Sequence, residues 1–417
     1  MTALWAAYRV LAPCLGALAP AARVLAPPEE KGLWRERLGY VRVPGGVHAW
    51  VHGASLGEAL AVAPLVKELA ALQPRARFHL TATSRSGRTR LSELGATASL
   101  APLDAPQAVR RFFDGVEPQR LFIVETELWP HWLLHAHASG IPVAIVSARL
   151  SERSVGRYRR LGAGLRQLVA GLSGVLCQTP ADLERWRTLG APAERTAVVG
   201  NLKADALPEP VPDRRRARAA LGLDPERPLL VLGSLRPGEP AVVARGWRAL
   251  PATMRDRWQV VAVPRHPRAS AELRLEATHA GQALVTQGAP GRGAWRWDDR
   301  LGVLARYYAA CDAALVGGSI MPYDGHNPLE PAAMGAPVLM GPHHASQADA
   351  VATLAAHGGL RVVRGTEELS EALGEWLGND EARARAAAGA RAAVQAQRGA
   401  ARRATRRLVE WNLWPVD

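Results

Sequence analysis

The chain reads as an α/β protein built from two doubly wound, parallel-sheet domains, and three observations carry that reading. Its 417 residues exceed the roughly 250–300 at which a single hydrophobic core stops growing. From Val47 onward, short apolar runs alternate with helix-period patterns, the order of elements that parallel sheets require. The alternation breaks at Ala206–Asp213, ALPEPVPD, where proline fixes φ and removes backbone donors, and then resumes.

Before the break, strands are predicted at Ala49–His52, Phe78–Thr83, Leu121–Glu125, Pro142–Ser147, Val175–Gln178 and Thr196–Gly200, enough for a six-stranded sheet. A helix over Glu58–Leu72 follows from Leu60, Val62, Leu65, Leu69 and Leu72 on a 3.6-residue period. After the break come Leu229–Ser234, Gln259–Pro264, Ala283–Val285, Ala313–Gly317 and Pro337–Met340. One long Arg-rich helix is expected from about Glu381 to Trp411, crossing back over the first domain. The expected organisation is an N-terminal segment 1–30, a first domain 31–205, a linker 206–213 and a second domain 214–417. Two such domains facing each other place a ligand cleft between their strand ends.

Composition narrows the classes. An apolar fraction of 48 % suits a folded core, and a net charge of +14 draws polyanions without choosing among them. Part of the excess, including Arg383, Arg385 and Arg391, fits solvated helix faces. Cys14, Cys177 and Cys311 lie far apart, so neither a disulfide framework nor a zinc module is indicated. The apolar run Val10–Ala22 holds Pro13 and Pro20 and is too short to span a bilayer. A packed helix pair and an interfacial anchor fit it equally, and a cleaved signal peptide fits less well.

Four motifs fall on strand-to-helix turns. In WVHGASLGEA, Trp50–Ala59, a strand enters a Gly-bracketed turn that offers N–H groups to an anion, and Glu58 stands in the first helical turn. A carboxylate there can accept a hydroxyl proton. Ser55 and Glu58 equally fit an S-x-x-E capping box. In LFIVETELWP, Leu121–Pro130, a buried strand ends in Glu125 and Glu127, charges suited either to a site or to the following helix dipole. His131 and His135 follow without the glutamate of an H-E-x-x-H metal motif. In VVGNLKAD, Val198–Asp205, Lys203 is either an anion contact or an exposed linker lysine. The fourth group, LGSLRPGE (232–239), VPRHPR (263–268) and GGSIMPYDGHNPLEPAAMGAPVLMGP (317–342), follows strands on one rim of the second sheet. Glycine admits close backbone approach to phosphate, while Asn327 and Glu330 suit nucleotide hydroxyls.

Taken in order, HGASLGE, ETELWP, SARLSERS, GNLK, PRHP and GHNPLEPAA closely resemble the 3-deoxy-D-manno-octulosonic acid (Kdo) transferase family, from about Trp34 to the last helix. The resemblance implies a GT-B glycosyltransferase that moves Kdo from CMP-Kdo onto the tetra-acylated lipid A precursor, lipid IVA, in lipopolysaccharide biosynthesis. It implies an inverting transfer with neither metal nor cofactor. It assigns Glu58 as general base and Glu125 and Lys203 to transition-state stabilisation. CMP contacts fall to Pro264 and Arg265, to Leu301, Gly302 and Val303, and to Asn327, Pro328, Leu329 and Glu330. The chain departs from the pattern twice. Leu301-Gly302-Val303 stands where many relatives carry Met-Gly-Glu, and Arg236 stands where they often carry histidine. The anionic acceptor implies the cytoplasmic face of the bacterial inner membrane, reached by the N-terminal segment and a basic face of the first domain. A UDP-sugar donor is the enzymatic alternative. A nucleic-acid-binding protein is suggested by charge alone, with no zinc finger, RRM or basic-zipper pattern.

Overall fold

The computed structural model describes residues 3–25 and 27–416. They form two compact units, Met1–Ala206 with Gln397–Asp417, and Leu207–Ala396. The first unit holds β1 (Ala49–His52), β2 (Phe78–Ala82), β3 (Thr97–Leu100), β4 (Leu121–Val124), β5 (Val143–Ala148), β6 (Gly174–Cys177) and β7 (Thr196–Val198). The second holds β8 (Leu229–Leu235), β9 (Gln259–Pro264), β10 (Leu284–Val285), β11 (Trp295–Trp297), β12 (Ala313–Val316), β13 (Val338–Met340) and β14 (Leu360–Val362). Every pairing between these strands is parallel.

The orders are β3-β2-β1-β4-β5-β6-β7 and β10-β11-β9-β8-β12-β13-β14. Each sheet is covered on both faces, which explains the continuous apolar runs. Along β4, Leu121 and Ile123 join one core and Phe122 and Val124 the other. Along β8, Val231 faces one way and Leu230 and Leu232 the other. Both sheets reverse strand order once, at β1/β4 and at β8/β12. Loops leaving such a pair diverge to opposite faces, so the carboxyl ends of those strands open a crevice.

The structure corrects several sequence expectations. The first sheet has seven strands, because β3 adds an edge strand whose first residues are partly exposed and whose Thr-Ala-Ser-Leu run lacks an apolar stripe. The short strands β11 and β14 are hard to see in sequence for a similar reason: each has three residues with an arginine in the middle. Leu60 is 39 % exposed; Ala59, Val62, Leu65 and Leu69 form the buried face of the helix Leu56–Leu72, since a small Ala59 lets the helix lie close to the sheet. The expected single C-terminal helix is two, Asp380–Gln397 and Ala400–Glu410, separated at Gly399 with φ 82°, a conformation glycine adopts without steric cost. The boundary at 214–417 moves accordingly: residues 207–213 belong to the second unit, and 397–417 to the first. Asp205 accepts the N–H groups of Gly399 and Ala401 and so caps that last helix, while Trp414 Nε1 donates to Leu69 O at 3.1 Å.

The N-terminal run is a helix, Ala3–Leu25, followed by Pro28–Arg37. Trp5 and Ala12 are buried, and a Cβ at Gly16 would strike Ala105 Cβ at 2.5 Å, so one stripe of the helix packs on the first unit. Among the described residues, no helix is long and apolar enough to cross a membrane.

Candidate active site

In the first unit the chain leaves β1 through Gly53–Ser55 and enters the helix Leu56–Leu72. Ser55 is its N-cap, accepting the Glu58 N–H at 3.3 Å. Glu58 reaches back: Oε2 accepts the Ala54 N–H at 2.7 Å and Oε1 accepts the Ser55 hydroxyl at 3.1 Å. This is a capping box displaced by one residue, since the reciprocal bond goes to the position before the N-cap. The carboxylate keeps accepting capacity on both oxygens.

Glu125 follows β4, the strand beside β1, and its φ of 64° is one that a non-glycine residue holds only under structural constraint. Its N–H donates to Val146 O at 3.0 Å, and its carboxylate pairs with Lys203 Nζ. Lys203 comes from the 3-10 turn Leu202–Ala204 after β7. Asn201 Oδ1 accepts its N–H at 2.9 Å, and Ser147 Oγ accepts that of Leu202 at 3.2 Å. Ser147, itself at φ 56°, lies where the β5–β6 register shifts. A Cβ at position 57 would lie 3.9 Å from Lys203 Nζ, so the lysine passes over the start of the Glu58 helix. Three residues distant in sequence thus converge where the strand order reverses.

Burial, then the charge of Glu125, raises the pKa of Glu58 against the Ala54 N–H, Ser55 and Lys203. Glu127 rises further, to about 7, through burial and repulsion from Glu58 and Glu125, opposed by Trp129. Crowded carboxylates beside one cation bring proton affinity toward neutrality, the property a general base needs. His52 is no candidate for that role. It is buried, its Nδ1 meets Thr81 Oγ1 at 2.8 Å, and burial lowers its pKa to about 3.

In the second unit the rim is formed after β11, β9, β8 and β12, neighbours in that order. Pro264 ends β9, and Arg265, exposed, donates its N–H to Leu235 O at 3.0 Å. Leu301 is exposed and Gly302 has φ 79°, while Val303 is 7 % exposed and joins the core, so its side chain is turned inward. Asn327 Oδ1 accepts the Leu329 N–H at 3.0 Å, and Asn327 Nδ2 lies 3.5 Å from Glu330 Oε1. Burial raises Glu330, opposed by Asn327 and Arg265.

The glycine turn after β12 does something its sequence does not suggest. Gly318, Ser319 and Ile320 donate their N–H groups to the carboxylate of Glu239 at 2.8, 2.9 and 2.9 Å, and Arg236 N–H adds a fourth bond at 2.9 Å. These amides are therefore taken up by a buried side chain and are not free for a phosphate. Gly317 is required there because a Cβ would stand 2.7 Å from Glu239 Oε2. Positive side chains stand beside the turn. Arg236 lies over the Tyr323 ring at 4.3 Å, and burial together with Arg265, Arg236 and His266 lowers the His326 pKa to about 4.

Sequence reasoning leaves Glu127 open between a site and a helix dipole, and it misses Ser147, Glu239, Tyr323 and His326. A glutamate at the first helical position after a glycine is a visible signal for Glu239. The others need the fold.

Residues 33–206 match the family model described as 3-Deoxy-D-manno-octulosonic-acid transferase (kdotransferase). The chain is 37 % identical over 347 residues to the 3-deoxy-D-manno-octulosonic acid transferase of Bordetella pertussis, covering 79 % of each chain. It is 31 % identical over 307 residues to that of Haemophilus influenzae, covering 72 % of this chain and 71 % of the relative. In fold it is similar to the UDP-GlcNAc 2-epimerase of Neisseria meningitidis, at 15 % identity, a TM-score of 0.59, and 88 % and 99 % coverage of the two chains. With two doubly wound domains, carboxylates and a lysine gathered at one switch point, and this identity over most of its length, the chain belongs to the family of Kdo transferases, which are glycosyltransferases.

Proposed function

We propose that the protein transfers Kdo from CMP-Kdo to the tetra-acylated lipid A precursor, with inversion at the anomeric carbon and without a metal. The observation that carries this reading is the meeting of Glu58, Glu125 and Lys203 at the β1/β4 switch point. The acceptor hydroxyl oxygen forms a bond to the anomeric carbon, the bond from that carbon to the phosphate oxygen breaks, and CMP leaves with the electron pair. Glu58 takes the hydroxyl proton, help typically worth about a hundred- to ten-thousandfold. Lys203, held by Glu125, places positive charge beside the reacting groups. In the second unit, Arg265 and the 327–330 turn bind CMP.

The protein works at the cytoplasmic face of the inner membrane. Supporting this, Ala7, Val10, Leu11, Cys14, Ala17, Ala21 and Val24 all face outward on the first helix, recurring every three to four residues. They form an apolar stripe opposite the packed one and suited to a lipid surface. The net charge of +14 favours an anionic leaflet.

Incubation with enzymatically generated CMP-Kdo and the tetra-acylated precursor, followed by mass spectrometry, tests the reading. Products heavier by one or more Kdo residues are expected. Transfer from a UDP-sugar, with none from CMP-Kdo, overturns it.

A further inference from the structure

Around Gly318 the second unit holds Arg236 and His326, two side chains with no ion-pair partner among the described residues. A Cβ at Gly318 would stand 2.9 Å from His326 Nε2 and 3.7 Å from Arg236 Cγ, so both side chains border that glycine. Arg236 Nε and His326 Nε2 are buried, yet neither has a hydrogen-bond partner among the described residues, a condition native structures seldom leave without a ligand or water. Arg265 adds positive charge at the same place, depressing the pKa of both His326 and His266, and Arg268 adds to it beside His266.

The arginine is also held in position. Its N–H is fixed by Glu239 at 2.9 Å. The Gly238 N–H two residues on is fixed by both oxygens of Glu276, at 3.0 and 2.8 Å. Tyr323 lies 4.3 Å from the guanidinium carbon, which stacks the planar group and leaves its edge for an anion. With the loop amides occupied by Glu239, an anion here meets side chains.

Resting on the donor reading above, we propose that Arg236, stacked on Tyr323 and flanked by His326, binds an anionic group of the donor, either its phosphate or the carboxylate of its sugar acid. It is a donor-recognition residue of this chain in addition to Arg265 and the 327–330 turn. Tyr323 is a positioning residue that acts through it.

The full-length chain and its Arg236→Ala, Arg236→Lys and Tyr323→Leu variants separate the possibilities. CMP binding is measured by calorimetry at several ionic strengths, and the KM for CMP-Kdo by steady-state transfer, with Tm as a check on folding. Loss of a charge-assisted bond weakens binding by roughly ten- to a hundredfold. Arg236→Ala is expected to show that loss with an unchanged Tm and a flatter salt dependence, and the lysine variant an intermediate one. Tyr323→Leu is expected to be milder than Arg236→Ala. A loss already present with CMP assigns the phosphate; a loss confined to CMP-Kdo assigns the carboxylate. Wild-type values for both ligands in Arg236→Ala, or weakened binding that keeps the wild-type salt dependence, overturn the proposal. Failure of the wild-type chain itself to bind CMP overturns the donor reading and this inference with it.

Discussion

Glu58 and Glu239 occupy corresponding places in the two units and have opposite fates. Each follows a glycine, each stands in the first turn of the helix after the first strand of its sheet, and each lies where that sheet's strand order reverses. Glu239 is 0 % exposed and accepts four backbone N–H groups. Its charge is absorbed in fastening the loop after β8 to the loop after β12. Glu58 accepts one backbone N–H and one hydroxyl, remains partly exposed, and faces two other carboxylates and a lysine. The same local sequence device thus fastens two loops in one unit and leaves a partly exposed carboxylate in the other. What differs is how many donors surround the carboxylate and whether solvent reaches it.

Neutralising each carboxylate in turn separates the two roles. Glu58→Gln is expected to lower kcat by about a hundred- to ten-thousandfold while CMP affinity and Tm stay close to wild type. A near-normal rate in a transfer assay returns Glu58 to a capping role. Glu239→Gln is expected to show the reverse pattern. Its amide would turn an N–H₂ toward backbone donors, and a buried group left without its partners costs about 1–3 kcal/mol, more where a charge was involved. A lower Tm and weaker CMP binding should appear together by calorimetry. A stable Glu239→Gln variant would mean that the four bonds contribute little.

Lys203→Met leaves Glu125 without its cation and removes a charge that holds the Glu58 pKa down. The acid limb of the kcat–pH profile should therefore move to higher pH, with a loss of rate. Glu127→Gln should have the smallest effect. Glu127 gains its charge only at about 7 and is not among the groups that shift Glu58, so the acid limb should stay close to its wild-type position. The same substitution bears on stability. Glu127 titrates at about 7 in the folded chain against 4.5 ordinarily, so its ionisation opposes folding increasingly as pH rises from about 4.5 to 7 and fully above that. The variant should gain Tm over wild type at pH 8 and not at pH 4. An acid limb moved to lower pH by Glu127→Gln would show that Glu127 is already charged where Glu58 titrates.

Much of the fold and part of the site are legible in the amino-acid sequence. The alternation of apolar runs and helical periods specifies the fold class, because strands buried on both faces must be apolar throughout, as β4 and β8 are. The motifs place Glu58, Glu125, Arg265 and Asn327 at the ends of strands, where open α/β sheets carry their sites. The edge strand β3 is hidden because a half-exposed strand needs no apolar run. The break at Gly399 is hidden because an Ala- and Arg-rich sequence keeps its helical propensity across the glycine.

By itself, the sequence determined which residues could do chemistry and on which turns they stand, since composition, period and turn residues are local properties. Only the tertiary structure decided what each group faces. It brought Lys203 from beyond β7 to Glu125, and assigned the last helix to the first unit. It also gave the amides of the glycine turn to Glu239 and left Arg236 Nε and His326 Nε2 buried without a hydrogen-bond partner among the described residues. Proton affinity and anion recognition depend on neighbours and on burial, and those are set by contacts between segments far apart in the chain.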